Sequence, residues 1–330
     1  MQENIKNILA KSLSENKIIE IAGPINFNST DQKWQLGMDD FLYFTAKKED
    51  KKITLKVTDR ALVKFGSRDL TYGDHLKNEF DVFQFLGRKL PSSLKCRLVK
   101  IYQVIKVTDN ISVTILENLI GEAYLGKQKD AEIDINLTST WFEFLPETLV
   151  YFNNLQKANF PDFIRNYPNN LKEADAYMKI HLLDLRREFI KYELDLNLCD
   201  KLLSLWSKLP VEIAFQKHDL VPWRTFKKAD EYIMHSNHWA GFQSRYYDVI
   251  YLMIKLWTHV DNKKLAQVWL QVFFKTLEAE KQKHFTKQIF KPATQRIIHD
   301  LIEYRNHENY EEVVDLAQRI STGDFEQLIQ

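Results

Sequence analysis

Apolar and polar positions along this 330-residue chain follow two periods. Up to about residue 118 the apolar runs are short and rich in β-branched and aromatic residues. Phe41-Leu-Tyr-Phe-Thr45 and Ile53-Thr-Leu-Lys-Val57, divided by the polar turn Lys47 to Lys52, predict a pair of strands. One helix is predicted among the strands, over Asp74 to Leu86, where Leu76, Phe80, Val82 and Phe83 fall at helical spacing and Asp74 is a candidate cap. Strands resume at Leu98 to Val107 and Ile111 to Leu116, separated by Thr108-Asp-Asn110.

Beyond Gly121 the period lengthens. Amphipathic helices are predicted over Lys172 to Leu194, Lys201 to Leu209, Asp261 to Leu277 and Tyr310 to Ile320. In the third of these, Leu265, Val268, Trp269, Val272 and Phe273 share one face, so Trp269 reads as core, as does Trp257. Ile213 to Gly241 is less periodic and crowded with His, Trp and Asp, and no internal repeat is present. The expected fold class is α+β, with a strand-rich lobe over residues 1–118 and a helical lobe over 119–330 that contains the segment 213–241.

Composition narrows the functional classes. Lys+Arg of 46 against Asp+Glu of 45 leaves a net charge of +1, so no global field steers the chain onto a polyanion, and no nucleic-acid partner is expected. The lysine-rich stretch Glu280 to Lys291 reads as a solvated helix face. Cys96 and Cys199 lack metal or disulfide spacing, and the N-terminus lacks the pattern of a signal peptide. The most apolar stretch, Tyr246 to Trp257, carries Asp248 and Lys255 and is shorter than the ~20 residues of a membrane span. A soluble, cytoplasmic protein is expected. Glycine is scarce: 9 occur, where ordinary usage gives roughly 23.

Two clusters carry candidate chemistry. Lys56 interrupts the apolar strand Leu55-Lys56-Val57, and Glu79 lies on the helix that follows. A strand lysine is either solvated or held inside by a carboxylate, and lysine followed by helix glutamate is how kinase-type folds position phosphates. Glu117-Asn118 then closes the last strand, where such folds have their hinge. The second cluster is Phe215-Gln-Lys-His-Asp-Leu-Val-Pro-Trp-Arg-Thr225. It resembles the catalytic loop of the aminoglycoside phosphotransferase and choline kinase family, His-Gly-Asp-Leu followed by Pro and, five residues after the Asp, by Asn. Asp219, Leu220, Pro222 and Trp223 match. The family's following Asp-Trp-Glu-type motif and Tyr-Asp pair have counterparts in His235-Ser-Asn-His-Trp-Ala240 and Tyr247-Asp248.

The resemblance spans residues 34–258 and implies a two-lobed, protein-kinase-like fold. It also implies ATP and Mg²⁺ as cofactors, with Lys56, Glu79 and Glu117 on the cofactor side, Asp219 as the catalytic residue or, in an inactive relative, a brace of the loop paired with Arg224 or Lys217, and Asp248 as a structural support for the loop; Arg224, replacing part of the metal's charge, is the second catalytic candidate. The departures are specific. His218 replaces the loop glycine, Lys217 the histidine and Arg224 the metal-binding asparagine, while Ser236, or His235 one residue earlier, stands where a metal carboxylate belongs. Mg²⁺ wants oxygen ligands, and a guanidinium cannot coordinate it. Losing a single preorganised electrostatic contact costs about 10²–10³ in rate. Three rescues stay open: Arg224 against a phosphate, a transition metal held by His218, His235 and His238 with Asp219, or a carboxylate from elsewhere such as Glu122 or Asp130. The simpler reading makes the histidines hydrogen-bonded loop residues.

The leading functional expectation is a degenerate, pseudokinase-like member that binds a small molecule or protein partner in its interlobe cleft. The alternatives are an active kinase for a hydroxyl of a sugar, amino alcohol or aminoglycoside, and a helical interaction protein unrelated to kinases. The last requires Lys56 and Glu79 to lie far apart.

Overall fold

A computed structural model describes residues 2–23, 42–59, 72–87, 89–119, 123–127, 132–155, 171–235 and 240–330. In chain order the strands are β1 (Ile18–Ala22), β2 (Leu42–Lys48), β3 (Lys51–Asp59), β4 (Cys96–Leu98), β5 (Ile101–Lys106), β6 (Ile111–Glu117), β7 (Ala123–Tyr124), β8 (Gly126–Lys127), β9 (Glu132–Ile133), β10 (Ile213–Gln216), β11 (Thr225–Lys228), β12 (Glu231–Met234) and β13 (Gly241–Ser244). The helices are α1 (Gln2–Leu13), α2 (Tyr72–Leu86), α3 (Ile135–Asn153), α4 (Leu171–Lys191), α5 (Leu196–Lys208), α6 (Tyr247–Thr258), α7 (Lys263–Thr276), α8 (Ala279–Gln288), α9 (Phe290–Glu303), α10 (Tyr310–Ser321) and α11 (Glu326–Ile329). They form two compact units, residues 1–135 with 222–239, and residues 136–221 with 240–330.

The first unit is built on a five-stranded antiparallel sheet in the order β1-β2-β3-β6-β5. Its β2–β3 hairpin turns on Glu49 and Asp50, both at positive φ (49° and 63°), the mirror-image turn whose twist matches that of the strands. Alternation gives the sheet two unlike faces. Leu42, Phe44, Ala46, Leu55, Val57, Val113 and Ile115 pack on one side against Ile5, Leu9 and Leu13 of α1. The other side carries Tyr43, Thr54, Lys56, Thr58 and Thr114, all buried. Tyr43 and Thr114 sit opposite Lys56 on the two neighbouring strands and so share its face.

A second sheet, β4-β12-β11-β7, completes this unit. β12 runs parallel to β4, pairing Ile233 with Arg97, and β11 is antiparallel to β7, pairing Phe226 with Tyr124. This pairing divides the segment 213–241. Residues 222–239 join the strand-rich unit because their backbone ladder runs to residues 96–98 and 123–124, and the division differs from the sequence-based boundary at 118 accordingly.

The second unit holds α3 to α11 and the antiparallel pair β10–β13. Trp141, Trp257 and Trp269 lie in its core, and Trp269 Nε1 donates to the Val249 carbonyl at 2.9 Å. The apolar stretch expected to be too short for a membrane is α6, a buried core helix, and no helix among the described residues is long and apolar enough to cross a membrane. Two expectations change. Helix α1 is present where the sequence reading predicts no element, because Ile5, Ile8, Leu9 and Leu13 form one stripe among polar residues. The stretch Glu280 to Lys291 is not wholly a solvated face. Phe285, Phe290 and Lys291 are buried, and the Lys291 ammonium donates to the carbonyls of Trp206 (3.0 Å) and Leu209 (2.9 Å) at the end of α5.

Candidate functional site

In the first unit, β3 and α2 bring Lys56 and Glu79 together. The Lys56 ammonium donates to Glu79 Oε2 at 2.7 Å, and both side chains are 1% exposed. Lys56 is therefore held inside rather than solvated. Around it the face is hydroxyl-lined. Thr54 Oγ1 accepts from the Leu119 N–H at 3.2 Å, while the buried Thr58 and Thr114 hydroxyls have no hydrogen-bond partner among the described residues.

Glu117, expected on the cofactor side, spends its carboxylate internally. Arg97 donates to Oε1 and Oε2 at 2.6 and 3.0 Å, and the Lys100 N–H donates to Oε1 at 2.7 Å. Burial alone would raise this carboxyl, but Arg97 and the Lys100 N–H outweigh it and hold the group below its ordinary range. The Arg97 Nε also donates to Glu231 at 2.9 Å. Arg97 has no counterpart in the sequence motifs, and its spacing from Glu117 gives no signal of the pair.

In the second unit, β10 leads into the loop Lys217-His218-Asp219. His218 and Asp219 both sit at positive φ (62° and 54°), a conformation that costs about 1–2 kcal/mol for a residue with a side chain. Three devices hold it. Asp248 at the start of α6 accepts from the backbone N–H of Lys217 (2.5 Å) and of His218 (2.8 Å), so both of its oxygens are engaged. The fully buried Lys217 ammonium donates to the carbonyls of His218 (3.2 Å) and Asp219 (3.3 Å). The His218 ring stacks on Tyr247 at 4.9 Å, and Tyr247 on Tyr251 at 5.8 Å. Behind these, Asn153 Oδ1 accepts from Gln216 Nε2 (3.2 Å) and from the Tyr246 N–H (3.1 Å). Burial pushes the Asp248 carboxyl up to about 6, against the opposing pull of Lys217 and His218.

No known protein family matches the chain, and no curated protein does. Solved structures do. A thermostable mutant of aminoglycoside phosphotransferase APH(4)-Ia, in ternary complex with AMP-PNP and hygromycin B, aligns at 9% identity with a TM-score of 0.62, covering 97% of this chain and 98% of that one. The amicoumacin kinase hAmiN, in complex with AMP-PNP, Ca²⁺ and Ami, aligns at 12% identity and TM-score 0.56 over 99% and 100% of the two chains. The choline kinase LicA from Streptococcus pneumoniae gives 15%, 0.54, and 97% and 98%. The chain has the kinase-like aminoglycoside phosphotransferase fold. The reading as a helical protein unrelated to kinases falls with this result and with the 2.7 Å Lys56–Glu79 pair.

Of the remaining candidates, Arg224 and His235 belong to the first unit and His218 to the second. Arg224 lies half-buried in a short turn, Pro222–Arg224, and its carbonyl accepts from the His235 N–H at 3.0 Å. His235 is buried against Phe226 (5.1 Å) and Tyr124 (6.2 Å), a packed ring rather than an open ligand. His218 Nδ1 lies 3.6 Å from Asp219 Oδ1. Ser236, His238, Glu122 and Asp130 lie outside the described residues. Among the described residues, the grouping close enough to share an ion is His299, Asp300 and Glu303, none of which was expected. Its carboxylates already serve Arg296, which pairs with both, and Lys255, 3.4 Å from Asp300.

Proposed function

We propose that this chain is a degenerate phosphotransferase-fold protein that binds a small molecule or protein partner without efficient phosphoryl transfer. The donor set around the loop carries this reading. Asp219 is a carboxylate fit to accept a hydroxyl proton, but a second carboxylate for Mg²⁺ is not supplied by the groups near it in sequence. Asp248 has both oxygens engaged by backbone N–H groups, and in sequence Arg224 takes the position of the family's metal-binding asparagine, where a guanidinium cannot coordinate a cation. The described donors do not fit Mg²⁺, and no step is derived through it. The braced loop is then a scaffold. Lys217, Asp248 and the His218–Tyr247 stack fix its backbone, and in the other unit Lys56 with Glu79 keeps the buried charge pair that the resemblance implies.

Small-molecule binding is supported by the neighbours of the same fold, which were solved with hygromycin B or Ami beside AMP-PNP. The test is ADP release from ATP with Mg²⁺ or Mn²⁺ across a panel of hydroxylated acceptors. No turnover above background is expected. Metal-dependent turnover that disappears in Asp219→Ala would show an active kinase instead.

A further inference from the structure

Helix α4 carries apolar residues on two faces. Leu182 and Phe189 are each 1% exposed, and they supply the one buried stripe that a surface helix needs. On the outer side Ile180, Leu183 and Ile190 stand 63%, 56% and 53% exposed, three of the seven large hydrophobic side chains left open among the described residues. With Arg187 they follow the 3-4-3 spacing of a coiled-coil seam, in the order a, d, a, d. Such a seam is completed by a second helix.

We infer that the outer face of α4 is the interface of a two-fold homodimer in which the two copies of the helix run antiparallel. The charges select both the occupant and its direction. Asp184, Arg187, Glu188 and Lys191 mix the two signs along the seam, so no single-sign field calls for a polyanion or a lipid surface, and the seam can complement itself. In a parallel pair a faces a, which sets Arg187 against the partner's Arg187 at like charge. In an antiparallel pair a meets d. Ile180 then packs on the partner's Ile190, and Leu183 meets the stem of the partner's Arg187, whose guanidinium reaches Asp184. Within one helix Arg187 donates to Asp184 at 2.8 Å, and a pair this exposed contributes little and exchanges partners readily. Three aliphatic side chains per copy make an interface of the transient class, below about 1,200 Å², so the dimer is reversible and micromolar. This inference goes beyond the proposed function and is independent of it, since α4 carries none of the candidate site residues.

The experiment is sedimentation velocity of the full chain over a concentration series. An equilibrium that stops at two copies is expected, and a chain that stays monomeric to about 1 mM overturns the interface. Leu183→Glu is expected to be monomeric with unchanged thermal unfolding, because the side chain is already exposed; a dimer that survives it lies elsewhere and overturns the proposal. Asp184→Arg and Arg187→Asp are each expected to weaken the dimer about tenfold. A one-to-one mixture of these two variants, in which each copy meets the opposite charge, is expected to regain wild-type affinity, and a mixture no tighter than either variant alone overturns the pairing. Cysteine trapping reads the direction separately, since Cys96 and Cys199 are buried. Oxidising a mixture of Ile180→Cys and Ile190→Cys is expected to give the mixed disulfide dimer, whereas efficient linking of either variant to itself overturns the antiparallel register.

Discussion

At the scale of single residues, the buried charges set the energetics. Breaking a buried ion pair by removing one partner costs about 3–5 kcal/mol, since it strands the other charge. Lys56→Met and Glu79→Leu are each expected to lose that much in urea unfolding, and the double variant less than the sum, because Lys56 and Glu79 pair directly at 2.7 Å. Asp248 gives a pH dependence of defined sign. Its folded-state value near 6 stands above the ordinary 3.8, so the contribution of the neutral form is complete below about pH 4 and is lost as pH rises through 6. Relative to Asp248→Asn, the wild type is expected to lose about 2 kcal/mol between pH 4 and 7, read from urea curves at each pH. A gap that stays constant with pH would contradict this. Lys56 and Glu79 were legible in the sequence because a lysine in an apolar strand followed by a glutamate on the next helix is the order that kinase-type folds use. The role of Lys217 was not, because an ammonium that binds the carbonyls of the next two residues leaves no spacing to read.

Elements were legible where one period ran long enough. Helices α2, α7 and α10 lie within a few residues of their expected limits, whereas α5 begins at Leu196, ahead of the expected Lys201. Its start is set by Asp195, which accepts from the N–H groups of Asn197 (2.9 Å) and Leu198 (3.1 Å). Asp195→Ala is expected to cost about 1 kcal/mol in thermal or urea unfolding. Strands β7, β8 and β9 are two residues each, too short for any alternation to show. The hairpin β11–β12 escaped for a different reason: its parallel partner β4 lies more than 130 residues earlier, and nothing local to Tyr232-Ile233-Met234 names Cys96-Arg97-Leu98.

For the whole molecule, the scarcity of glycine has a structural counterpart. Among the described residues ten non-glycine positions adopt positive φ, against two glycines. The chain turns with side chains in place and relies on packing and polar contacts to hold them, as the loop at His218 shows. Fold class and the order of its parts were readable because they follow from hydrophobic period; the division into units was not, since it depends on which distant strands pair. Helix α1 carries a practical consequence. Residues 2–13 are the lid on the outer side of the five-stranded sheet, and Ile5, Leu9 and Leu13 each contribute about 1.5–3 kcal/mol by leaving water. A trimmed chain starting at residue 14 keeps every candidate site residue, yet it bares Leu42, Phe44, Leu55 and Val57 as a continuous sticky surface. It is expected to self-associate in light scattering at concentrations where the full chain does not, so protein engineered for binding assays should keep residues 2–13.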